Sequence, residues 1–86
     1  MARIDLGDTA ALGEAPVAST FFELGMTYSI GCSVPIDYVI AHKWFNLAAM
    51  RGNDDAARLR REIADQMSEA EIAAAQRAAR AWLTAH

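Results

Sequence analysis

From about residue 17 onward, apolar positions recur at three- and four-residue spacing, the period of a helix buried along one side. Phe21, Leu24, Gly25 and Tyr28 share one face of a first helix, predicted from about Pro16 or Val17 to Ile30. Pro16 suits a first turn, where its missing N–H would have no intrahelical partner. Phe22 and Met26 lie to the side of that stripe. Two adjacent large aromatics cannot face one neighbour, so Phe21 and Phe22 imply either a second buried surface or an aromatic left for a partner. A second helix is predicted from about Ile36 to Arg51. Its apolar arc takes in Ile36, Val39, Ile40, Ala41, Trp44, Phe45, Leu47, Ala48 and Ala49, wide enough to require burial on more than one side. His42, Lys43 and Asn46 form the narrow polar strip.

The pattern continues through two more segments. A third helix is predicted from about Asp54 to Met67, capped by Asn53 or Asp54, with Ala56, Leu59, Ile63, Ala64 and Met67 as its apolar stripe. Its outer face offers the i,i+4 pairs Asp54–Arg58, Arg58–Glu62 and Arg61–Asp65, each worth about 0.3–0.5 kcal/mol and typical of a solvated surface. A fourth helix is predicted from about Glu69 to Thr84. Ser68-Glu69-Ala70-Glu71 opens it as a capping box, and Ile72, Ala75, Gln76, Ala79, Trp82 and Leu83 make its inner face. Residues 1–16, with two Gly, a Pro and scattered apolar residues, read as an arm. One turn of helix after Asp8, or docking through Ile4 and Leu6, is its possible structure.

The breaks between segments have simple causes. Gly31 takes positive φ cheaply and suits the end of the first helix, and Gly52 ends the second in the same way. Pro35 fixes φ and belongs in the connecting turn. Gly25 and Ala41 have little or no side chain, so the first two helices can approach closely there, with Trp44, Phe45 and Tyr28 filling the space alongside.

Between Thr20 and Ala56 these residues also match a family pattern. Leu24-Gly25, Tyr28, Gly31, Val34, Asp37, Ala41, Trp44-Phe45, Ala48-Ala49, Gly52 and Ala56 stand at the spacing of a Sel1-like repeat, a relative of the tetratricopeptide repeat, and the stretch resembles one such unit. Thr20 stands where that family usually has Ala, Ser33 replaces the second Gly of its turn, and Ile40 replaces a common Lys. Ala79-x-x-Trp82-Leu83 echoes Ala41-x-x-Trp44-Phe45 at an offset of 38 residues, while an offset of 36 puts Arg60 and Arg61 in the place of a second Leu-Gly. Residues 57–86 therefore read as a degenerate second repeat serving as a C-terminal cap of residues 17–86. The Ser-x-x-Glu, Ala-Gln and Trp ending is similar to the tails of bacterial Sel1-like proteins. The resemblance implies an all-α fold of two antiparallel helical hairpins in right-handed succession, and a protein-binding scaffold rather than a catalyst.

Composition narrows the function. Eighty-six residues make one small domain, and repeat units seldom bury their apolar faces alone, so the flanking helices or another chain must cover this one. The net charge of −3 falls wholly on residues 1–50, and residues 51–86 balance to zero. Neither half has the basic excess that phosphate-backbone binding needs. A helix-turn-helix built from the last two helices, with Arg77 and Arg80 available, would present Glu69 and Glu71 where bases are read. A single cysteine, Cys32, allows no intrachain disulfide and fits a reducing compartment. No apolar run reaches membrane-spanning length and no signal peptide is visible, so a cytoplasmic location is expected.

Catalytic chemistry finds no support. Cys32, His42 and His86 are scattered, so no metal site is expected, and a Cys32 at the end of a helix lacks thiolate stabilisation. The paired acids Asp54–Asp55 and Glu69–Glu71 sit at helix starts, where capping explains them. The expectation is therefore an adaptor with no enzymatic activity, cofactor or metal. It binds another protein, which the residues do not specify, through the first-helix side of the array: Phe21, Glu23 and Thr27, with His42 and Lys43 on the second helix. A Phe21 buried within its own chain would refute that surface. The alternative is a self-associating module whose apolar N-terminal face is covered by a second copy.

Overall fold

The structure, a computed structural model, describes residues 18–31 and 33–86. They form four α-helices and no strand: α1 (Ala18–Ile30), α2 (Tyr38–Met50), α3 (Asp54–Ala64) and α4 (Glu69–Ala85). The fold is all-α, as the periodicity predicts. The expected arm over residues 1–16, the helix start at Pro16 and the turn residue Cys32 lie outside the described residues. No described helix is long and apolar enough to cross a membrane.

Local chemistry sets each boundary. Gly31 closes α1 at φ +87° with its N–H donating to the Thr27 carbonyl at 3.0 Å, and Ser33, two residues on, also has positive φ. The chain is then extended through Pro35 and Ile36 until the Asp37 N–H reaches the Tyr28 carbonyl at 2.9 Å, which pins the turn back on α1. The Asp37 carboxylate accepts from the Ile40 N–H at 3.1 Å. Asp37 is thus the N-cap of α2 rather than a first-turn residue, and Ile36 stands outside the helix it was expected to open.

At the far end of α2, Gly52 (φ +95°) donates to Ala49 and Asn53 donates to Ala48, the paired bonds of a Schellman turn. Asn53 then caps α3 by accepting from the Ala56 N–H at 2.9 Å, so one residue closes α2 and opens the next helix. α3 stops three residues short of its expected end. Gln66 and Met67 donate to Ile63 and Ala64, three-residue bonds that tighten the last turn. The Ser68–Glu71 capping box forms in both directions, at 3.1 and 2.8 Å.

α2 is the axis of the molecule. Ala41, Phe45, Leu47 and Ala48 lose essentially all their exposure there. α1 packs antiparallel to it, so closely at Gly25 that an added Cβ would lie 2.5 Å from the Phe45 ring. α3 covers another side of α2 through Ala56 and Ile63, and α4 a third, with Ala75 and Ala79 as its buried face. α4 packs against α2 rather than folding back along α3, so the second helix pair is open. Burial explains this: the small face of α4 lets Trp82 reach the aromatic rings of α1 and α2, whereas the outer face of α3 is charged. Gln76 and Leu83, expected on the inner face of α4, are exposed.

Candidate interaction surface

The aromatic pair on α1 resolves into two buried contacts. Phe21 is 1% exposed. Its ring stacks on Trp44 at 5.8 Å and meets Trp82 edge-on at 5.2 Å, with the Arg51 guanidinium 5.7 Å from its centroid. Phe22 turns the other way and packs on Phe45 at 5.8 Å. Trp44 and Trp82, the two echoing positions of the sequence, meet at 6.0 Å. His86 stacks on Trp82 at 4.3 Å, its Nδ1 3.0 Å from the Trp82 carbonyl oxygen. This cluster closes α4 onto the hairpin. Phe21 belongs to the core, and the binding surface centred on it is withdrawn.

His42 is corrected for a related reason. Instead of lying on an exposed polar strip it is 3% exposed. Arg60 of α3 donates through Nη1 to Asn46 Oδ1 at 2.6 Å, one turn along from His42. Burial, and then the Arg60 charge, hold the His42 pKa below its ordinary value of 6.5. Its Nδ1 is enclosed, without a hydrogen-bond partner among the described residues.

Three expected positions keep some exposure. Glu23 is exposed, and Thr27, partly exposed one turn later, donates its hydroxyl to the Glu23 carbonyl at 2.9 Å. The Lys43 ammonium folds over the Trp44 ring at 4.3 Å. Glu23 and Thr27 share the outer strip of α1. Lys43 belongs to α2 and Phe21 to the core, so the five candidate residues do not form one surface. Of the expected outer-face pairs on α3, Arg58–Glu62 forms at 3.2 Å, and Arg58 also reaches Asp55 at 3.4 Å. Asp54–Arg58 and Arg61–Asp65 are not bonded. Arg58, Asp55 and Glu62 are each more than half exposed, so the two bonds add little stability.

Exposed aliphatic side chains were not singled out by the sequence reasoning. Ile30 is 58% and Ile36 57% exposed, on either side of the Gly31 turn at the tip of the α1–α2 hairpin. Ile36 Cγ1 lies over Gly31, 2.8 Å from where a Cβ would stand. Partly exposed Val34 lies between them in the chain. Met50 (58%) and Leu83 are exposed elsewhere. A signal for Ile30 was present, since positions 23, 27 and 30 follow i, i+4, i+7 and all face outward. Among the described residues no group of three His, Cys, Asp or Glu could hold a metal ion. Comparison of the chain with protein-family models, with curated proteins and with solved structures returns no match.

Proposed function

We propose that the protein is a small protein–protein interaction adaptor built on a Sel1-like helical repeat, without catalysis of its own, working in the bacterial cytoplasm. Support for the repeat comes from the residue spacing between Thr20 and Ala56 together with the tight α1–α2 hairpin. The observation that carries the binding role is the hairpin tip, where two isoleucines are more than half exposed on either side of one turn. Large apolar side chains grouped on a surface mark docking sites more often than scattered ones do. Glu23 and Thr27, on the same outer strip of α1 as Ile30, flank that tip as polar contacts. Quantitative affinity capture from the source cell, with wild type beside Ile30→Ser/Ile36→Ser, tests the reading. Loss of one or more bound proteins by about tenfold or more is expected, the scale of losing apolar anchors from an interface. Equal capture by both forms, with both shown to be folded by circular dichroism, would refute the tip as the site.

The second reading is a homodimer. It is favoured by Phe22, Leu24, Met26 and Tyr28 of α1, the first helix of the array, which remain only partly buried. A second copy packed on α1 would cover them.

A further inference from the structure

His42 is the buried polar side chain of the core, and nothing in the adaptor reading uses it. It lies one turn before Asn46, which α3 touches through Arg60, with Nδ1 enclosed and without a partner among the described residues. Across the seam, Arg60 is fixed by its 2.6 Å bond to Asn46. Asn46 is one helical turn from His42, so that bond holds a permanent guanidinium charge on the same stretch of α2 as the imidazole. A neutral ring is tolerated there. A protonated ring sets two positive charges against each other in a seam largely closed to water. Among the described residues, Arg60 of α3 is the charged group whose field disfavours the protonated His42 ring.

The topology makes this seam separable. α3 is held by α2, touches α1 only slightly and does not pack along α4. Its ends are the Asn53 turn and the Asp65–Ser68 turn. The rings that join α1, α2 and α4, namely Phe21, Trp44 and Trp82, lie on the other flank of α2 and include no residue of α3. The aromatic joint of α1, α2 and α4 is thus built without α3, which enters the shared buried cluster only through Ala56 and Ile63.

We propose that the α2–α3 seam is a proton-operated latch: protonation of His42 against Arg60 releases α3 while α1, α2 and α4 stay assembled. The sign follows from linkage. Because the docked form disfavours the charged imidazole, the released form binds the proton more readily. Docking is at full strength above the ordinary histidine pKa of about 6.5 and is lost as pH falls toward the depressed docked value. Release would uncover apolar surface of α2 and the Ala56 and Ile63 face of α3.

Amide hydrogen exchange on the full chain, from about pH 7.5 down to about pH 5, tests this. The protein has two histidines, so all forms carry His86→Gln to leave one imidazole titrating. Protection factors of α3 should fall with acidification by up to about tenfold per pH unit, the limit for one proton. Those of α1 and of the central turns of α2 should change much less. His42→Gln should remove the pH dependence of α3, and Arg60→Gln should weaken it. An α3 that keeps its pH response in His42→Gln would overturn the latch. So would loss of protection in α1, α2 and α3 together, which would mean global unfolding. Should His42→Gln fail to fold, an undiminished response in Arg60→Gln would overturn it equally.

Discussion

Gly25→Ala probes the closest approach of α1 and α2. An added Cβ would lie 2.5 Å from Cδ1 and Cε1 of Phe45 and 2.9 Å from its Cγ. Carbons in ordinary contact sit about 3.5–4.0 Å apart, so roughly 1 Å of extra room is needed. Phe45 cannot supply it: the ring has no exposed surface, and Phe22 packs against it at 5.8 Å. α1 must lift from α2 instead. Overpacking of this kind costs about 1–3 kcal/mol, and three rigid ring atoms met at once place it in the upper part of that range. Alanine returns about 0.8–1.0 kcal/mol through its better helix propensity. The net expectation is a loss of about 1–2 kcal/mol. Urea denaturation measures it: with a slope of about 1 kcal/mol/M for a small domain, the midpoint should drop by about 1–2 M at unchanged slope. Trimming the ring relieves the clash, so the same substitution in a Phe45→Leu background should cost at least about 0.5 kcal/mol less. A Gly25→Ala protein as stable as wild type, or stabilised by its propensity gain, would refute the close approach.

Two further outcomes follow from single residues. Phe21→Ala should lose about 3–5 kcal/mol, because the ring is enclosed by Trp44 and Trp82, and a thermal melt should show the domain largely unfolded at ambient temperature. A small change in melting temperature would mean that the aromatic cluster contributes little. Ser33→Gly should stabilise by about 0.5–1 kcal/mol, since Ser33 is held at φ 68°, where a side chain costs about 1–2 kcal/mol and glycine's added chain entropy offsets only part of the gain. The melting temperature should rise by several degrees, and a fall would show that the Ser33 side chain supports the turn.

The legible parts of this fold were those written in local chemistry. Four helices followed from periodicity, and the Ser68 capping box and the glycines at Gly31 and Gly52 marked ends that the structure places within a residue or two. Gly25 signalled a close approach because no other residue leaves room for the Phe45 ring. Ser33 stands at φ 68°, a left-handed backbone that nothing about a serine announces. The candidate surface was read less well because it depends on where distant helices land. Phe21 reads as a binding candidate because nothing local reveals that Trp82, some sixty residues away, returns to cover it. His42 reads as part of a polar strip because only tertiary packing buries it and brings Arg60 of α3 to Asn46 one turn away. The packing of α4 on α2 rather than along α3 is likewise set by competition for apolar area, which periodicity along one helix does not encode.

The adaptor reading stands or falls on whether the exposed apolar surface is free in solution. Light scattering on the full chain across a dilution series asks this most directly. The account predicts the mass of one chain, 9.3 kDa, at every concentration, with the hairpin tip free for another protein. A mass that doubles as concentration rises, and returns to one chain in Ile30→Ser/Ile36→Ser, would contradict it and assign the tip to a second copy of the same chain.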